Sequence, residues 1–267
     1  MNLIKYILLL FFFISCGGPS PNYKPKSSGN INTVTVVMAN SLWNSTLGDK
    51  VREAFASEFI GLPQQEPIFN LKQIPLETFS GFTRESRNII VVQKTNKDTL
   101  FLEKDKYAYP QVLVSISGPN NNSISKQIFQ NKERVIFEIK KNELKEKQKR
   151  IKISTLDKTD LKSLLSIELR MPSAYEIYKK GKEKIIWLQR ETDKGTVNIL
   201  GYELETMDFS GPLNLGKVIK IRDSIGKAFI PGRNENSYMI TEEAYSPYIK
   251  KVKIIGLDLS LIHISEP

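Results

Sequence analysis

The chain has 267 residues, a formal net charge of +10, 40% hydrophobic and 25% charged residues, one cysteine and one histidine. That length and balance suit one large globular domain or two small ones. A single cysteine and a single histidine exclude a disulfide framework, a Cys/His zinc site and any design needing several such residues, while the positive charge favours anionic surfaces.

Met1–Cys16 reads MNLIKYILLLFFFISC. Lys5 gives a short positive n-region, Tyr6 to Ile14 form an apolar run, and small Ser15 precedes Cys16. The run is too short to span a bilayer as a stable helix and has the layout of a secretory signal. Its end, Phe13-Ile14-Ser15-Cys16, resembles a bacterial lipobox. Cleavage is therefore expected between Ser15 and Cys16, with residues 1–15 removed and Cys16 carrying the lipid. Lipidation would also account for a lone cysteine in an exported chain, and several acyl chains anchor stably because each buried methylene contributes about 0.8 kcal/mol.

Residues 16–30 are rich in Gly, Pro, Ser and Lys and read as a flexible tether. Position 17 is glycine rather than the aspartate that marks inner-membrane retention. No acidic residue occurs before Asp49. The expected location is the outer membrane, facing the periplasm. Export removes access to nucleic acid, and no nucleic-acid-binding motif is present.

An N-terminal α+β half is expected over 31–160. Thr33–Met38 alternates Thr and Val as a strand does. Thr46-x-x-Asp49 resembles a capping box, and Val51, Ala54, Phe55 and Phe59 share a helix face that Gly61-Leu62-Pro63 ends. Ile68–Ile74, Asn88–Gln93, Thr99–Leu102 and Gln111–Ser117 follow as strands, with Ile89-Ile90-Val91-Val92 marking burial on both faces. After Gly118–Asn122, capped by Ser123 or Ser125, a helix runs to about Arg150. Ile124, Ile128, Val135, Ile139 and Asn142 form its stripe. Its many lysines and arginines read as a solvated face, or as a contact for an anionic envelope surface.

A C-terminal α+β half is expected over 161–258. Lys184–Arg190 and Thr196–Glu205 read as a hairpin turning at Thr192–Gly195. Val218, Ile221, Ile225 and Phe229 define a helix over Leu215–Phe229, stopped by Pro231-Gly232. Tyr238–Thr241 and Ile249–Ile255 are further strand candidates. The expected fold class is α+β, with mostly antiparallel sheet, amphipathic helices on one face, and two similar halves. Leu259–Pro267 (LSLIHISEP) is what CTG TCT CTT ATA CAC ATC TCC GAG CCC encodes, a transposase adapter used in sequencing libraries. Residues 259–267 are accordingly expected to be non-native, which discards His263.

Without His263 no Ser-His-Asp or Cys-His site can be built. No Walker-type loop or Gly-x-Gly-x-x-Gly occurs, so no catalytic residue, metal or cofactor is expected. Arg84 and Arg87, just before a strand, with Arg222 and Arg233, are the candidate anion-binding residues, because guanidinium forks suit carboxylate or phosphate. Asp223, Glu242 and Glu243 are the carboxylates available to a glycan hydrolase, which needs two of them at a set separation. Trp43, Tyr245 and Tyr248 are candidate groove or rim aromatics, and Trp187 reads as core.

An ordered series of short stretches carries a family resemblance. Ser41-Leu42-Trp43, Gly61–Pro67 and Ser86-Arg87-Asn88-Ile89 come first. Trp187–Thr192, Arg222–Lys227, Ile230-Pro231-Gly232-Arg233 and Ser237–Glu243 follow. Together, from Ile31 to about Lys251, they resemble bacterial cell-envelope lipoproteins of the family domain of unknown function 4837. Members of that family run longer at the C-terminus. The resemblance implies export, lipidation and an envelope role, and it transfers no catalytic residue. The expected protein is thus a membrane-anchored binding or assembly module, partnered by an anionic envelope surface or an envelope protein. A carboxylate-based glycan hydrolase is the alternative.

Overall fold

The computed structural model describes residues 23–59, 66–156, 159–166, 169–180, 185–193, 195–203, 215–242, 248–254 and 257–263. The expected signal segment and Cys16 lie outside them. The chain divides into two compact units, residues 1–56 with 69–143, and residues 57–68 with 144–267.

The first unit is built on a five-stranded sheet of order β2-β1-β3-β5-β4, where β1 is Thr33–Val37, β2 Asn70–Ile74, β3 Asn88–Lys94, β4 Thr99–Lys104 and β5 Val112–Gly118. β1 pairs in parallel with β2 and β3, β3 in parallel with β5, and only β4 runs antiparallel, on β5. The α+β class holds, and this sheet is mixed, with parallel pairing at its centre. Its central strand explains why: β3 is flanked on both sides, and its near-continuous apolar run suits a parallel sheet covered on both faces.

One face presents Val34, Val36, Ile90, Val92, Val114 and Ile116, all 1% exposed or less. The other presents Val37, Ile89, Val91 and Leu113, packed against Ile74, Phe79 and Tyr107. The segment between β2 and β3, with 3₁₀ turns at Leu76–Thr78 and Gly81–Glu85, thus covers this second face. The first face is left to two helices, α2 (Thr46–Phe55, after the short α1, Asn40–Trp43) and α3 (Asn121–Ile153). Lys50 of α2 stands 5.5 Å over the Phe129 ring of α3, so the two helices are neighbours.

Local chemistry sets the helix ends. Ser45 caps α2 by accepting from the Leu47 N–H at 3.2 Å, one residue before the expected Thr46 box. α2 stops at Phe55, so Phe59 does not share its face. Phe59 instead donates its N–H to Glu66 across a short bridge and stays 43% exposed. Asn120 caps α3 through the Ser123 N–H at 2.9 Å, in place of Ser123 or Ser125. The buried stripe of α3 is Ile124, Ile128, Val135 and Ile139, then Glu143 rather than Asn142.

The expected flexible tether ends earlier than residue 30. Ser27 donates to the Tyr109 carbonyl at 2.9 Å, Tyr109 to that of Pro25 at 2.9 Å, and Ser28 to that of Glu85 at 2.8 Å. Residues 24–30 therefore form a docked strap. Its poverty in apolar side chains is offset by main-chain hydrogen bonds, which composition does not reveal.

The second unit carries an antiparallel sheet of β6 (Glu176–Lys180), β7 (Ile185–Thr192) and β8 (Gly195–Tyr202). The β7–β8 hairpin closes at Thr192 opposite Gly195, whose φ of 132° suits glycine. Met171, Ile186 and Leu188 form its core with Leu164 and Leu165 of α4 (Thr159–Leu165). α5 occupies Leu215–Phe229 as expected. Tyr238–Thr241 makes only a single bridge, Tyr238 to Pro231. β9 (Tyr248–Ile254) and β10 (Leu257–His263) form a separate hairpin that includes part of the adapter-like segment. The first unit carries a mixed sheet, and the sheets described in the second are antiparallel. Among the described residues no helix is long and apolar enough to cross a membrane.

Candidate functional site

Arg87 is not an open anion site. It is 2% exposed, and its Nε donates to Glu143 Oε1 at 2.6 Å, with Glu143 itself 1% exposed. The same oxygen accepts from Asn88 Nδ2 at 2.6 Å, and Oε2 accepts from the Asn32 N–H at 2.7 Å. Arg87 Nη2 donates to the carbonyls of Gly29 (3.0 Å) and Asn30 (2.9 Å), and the Arg87 N–H to that of Ser28 (2.9 Å). Burial of both charges is tolerated because each is paired and hydrogen-bonded further. The arrangement ties strap, sheet and α3 together at the N-terminal ends of β1 and β3.

Gln111, 1% exposed, extends this clasp. Its Nε2 donates to the carbonyls of Arg84 (2.7 Å) and Ser86 (2.8 Å), and its Oε1 accepts from the Tyr107 N–H (2.9 Å). Sequence reading missed Gln111, Asn88 and Glu143. A carboxylate at the next position of an apolar helix stripe, and an arginine opening a buried strand, were the available signals.

Arg84 is exposed. Its guanidinium stacks 5.5 Å from the Phe79 ring and 5.0 Å from the Tyr107 ring, and its Nε donates to the Phe79 carbonyl at 3.1 Å. Lys106 lies 5.6 Å over Tyr107, and its bond to Glu103 raises its pKa.

In the second unit, Arg222 and Asp223 of α5 converge on Thr241, which is 5% exposed. Arg222 Nη1 donates to Thr241 Oγ1 at 2.9 Å. Asp223 Oδ1 accepts from the Thr241 N–H at 2.8 Å and its Oγ1 at 2.7 Å. Gly226 permits this approach, since a Cβ there would sit 2.1 Å from the Met239 carbonyl oxygen. Nearby, burial raises the Tyr202 phenol pKa against a lowering influence of Arg222. Arg233 lies in the turn closed by Gly232 N–H to Ser237 carbonyl at 2.7 Å. That turn, with Lys227 and Tyr238, lines an open depression of about 580 Å³.

The four arginines are thus divided, Arg84 and Arg87 in one unit, Arg222 and Arg233 in the other. Glu242 is exposed, and Glu243 lies outside the described residues, as does Tyr245. Trp43 stacks with Arg52 at 4.5 Å. Trp187 is half-buried rather than core, donating Nε1–H to Asn198 Oδ1 at 2.8 Å beside Tyr178. Alternation explains the shift, because Ile186 and Leu188 occupy the core face. No group of three or more metal-ligating side chains assembles among the described residues.

Residues 154–262 match the family described as Domain of unknown function (DUF4837). That segment carries the DUF4837 pattern, as the resemblance read from the sequence implies. The stretches at 187–192, 222–227, 230–233 and 237–243 all fall within the match. The earlier stretches fall in a second match, residues 27–152, to Domain of unknown function (DUF8532). The clasp, from Ser28 to Glu143, lies in that DUF8532 match, whereas the Arg222–Asp223–Thr241 contact lies in the DUF4837 one. Neither a curated protein nor a solved structure gives a significant match.

Proposed function

We propose that this chain is a lipid-anchored cell-envelope protein, held by acylated Cys16 at the outer membrane facing the periplasm, and that it works as a binding or assembly module. The observation that carries the reading is the continuity from the signal-like Met1–Cys16 segment to the docked strap. A chain meant only to float on a linker has no need of a buried arginine holding residues 28–30. The DUF4837 stretches support a module rather than an enzyme, because Arg222 and Asp223 are engaged in holding Thr241. Asp223 Oδ1 already accepts two hydrogen bonds from Thr241. The test is mass analysis of the mature N-terminal peptide with fractionation of the cells. An acylated Cys16 is expected, and Cys16→Ser should move the protein to the soluble fraction. An unmodified Cys16, or unchanged fractionation of the variant, would overturn the anchor. Crosslinking in intact envelopes, followed by identification of captured partners, tests the module. The alternative is a carboxylate glycan hydrolase using Asp223, Glu242 or Glu243, and it requires turnover that Glu242→Gln or Asp223→Asn abolishes.

A further inference from the structure

The strap fixes which part of the first unit lies nearest Cys16. Only residues 17–23 separate Cys16 from Lys24, the first strap residue, and eight residue steps reach at most about 28 Å. The strap is not free to swing away, being held by Glu85, Arg87 and Tyr109. Anchor and strap together therefore keep the adjoining surface within one short chain length of the lipid.

That surface has the composition of a membrane interface. Tyr23 is 69% exposed, Phe82 73% and Tyr109 63%. Tyr109 bonds the strap directly, and Phe82 sits in the 3₁₀ turn that ends at Glu85, which also bonds it. Lys24 and Lys26 are exposed on the strap, and Arg84 on the same turn as Phe82. Acidic groups are present but engaged: Glu103 pairs with Lys106 at 2.8 Å, and Asp105 Oδ1 accepts from the Gln111 N–H at 2.7 Å. Glu85 is half-buried. Exposed aromatic rings beside lysine and arginine are what the headgroup layer accommodates, rings at the acyl boundary and cations among the phosphates.

We propose that Tyr23, Phe82 and Tyr109, with Lys24, Lys26 and Arg84, form a face that lies against the anionic headgroup layer of the membrane holding the anchor. This rests on the acylation of Cys16. The face sets the orientation of the first unit, with the C-terminal ends of its parallel strands turned away from the lipid. β5 spans about 20 Å between those ends.

The experiment uses the full mature lipoprotein in vesicles of phosphatidylcholine and phosphatidylglycerol. A polarity-sensitive dye is placed on Phe82→Cys, Tyr109→Cys or, at the far end of the strands, Asn122→Cys. Cys16 is blocked by its acyl chain. Quenching by brominated lipid is expected to be about twofold or more stronger at positions 82 and 109 than at 122, and to weaken in vesicles of phosphatidylcholine alone. Equal quenching at all three positions in a protein that floats with vesicles and carries the acyl mass overturns the face and leaves the anchor standing. A protein that neither floats nor carries that mass overturns both. All three sites are solvent-exposed, and an unchanged circular dichroism spectrum confirms that each variant folds.

Discussion

Glu143, on a helix otherwise buried through isoleucine and valine, places one carboxylate oxygen 2.6 Å from Arg87 Nε and the other 2.7 Å from the Asn32 N–H. A single residue thus holds both the start of β3 and the residue that precedes β1. Its removal has consequences that differ from those of removing the pair.

Arg87→Met leaves Glu143 buried and without its cation, which costs about 3–5 kcal/mol. Arg87→Met with Glu143→Leu removes both charges and should cost less than the single change. The double variant still removes the Arg87 bonds to the Gly29 and Asn30 carbonyls. It should fold, yet show faster amide exchange at Ser27 and Ser28. Urea titration and hydrogen exchange measure the two effects separately.

Gly226→Ala reverses the usual rule for helices. In an open helix alanine would gain about 1 kcal/mol over glycine. Here the added methyl group meets the Met239 carbonyl. The expected result is a net loss of about 1–3 kcal/mol, as for overpacked sites, read as a lowered Tm.

Tyr202 should ionise late. Burial penalises its phenolate, so its pKa in the fold exceeds the unfolded value. The stability it contributes is complete below about pH 10 and is lost as pH rises through the folded pKa. Tyrosinate absorbance should show a delayed step that Tyr202→Phe removes, along with part of the stability loss above pH 10.

Asn120→Ala removes the α3 cap and should cost about 1 kcal/mol. Ser123→Ala, at the position once expected to cap, leaves that backbone bond intact and should cost less. Parallel urea titrations distinguish them.

Elements with strong periodicity were legible from the sequence. β3, the β7–β8 hairpin and α5 occupy their expected places because each buries an apolar pattern of the right period. Partner and direction were not legible. β1, β3 and β5 read equally well as antiparallel strands, and only their connections make them parallel. The strap was misjudged because main-chain bonds hold it. Arg87 reads from the sequence as a candidate anion-binding residue, yet its partner lies 56 residues away, and a buried ion pair of that separation has no local signature. Arg222 and Asp223 were separated from Thr241 in the same manner.

β5 lies between its two predecessors in the chain, β3 and β4, and touches both. No β3–β4 hairpin can therefore form first, although only Thr95 to Asp98 separate those strands. Completing this sheet requires Val112–Gly118 to insert between them, a pairing of greater sequence separation than a hairpin of neighbours. Until that strand arrives, β4 has no ladder to join. A nascent chain ending before Val112 therefore presents Thr99–Lys104 as an unsatisfied edge, which is where a chaperone or a self-association event would find it.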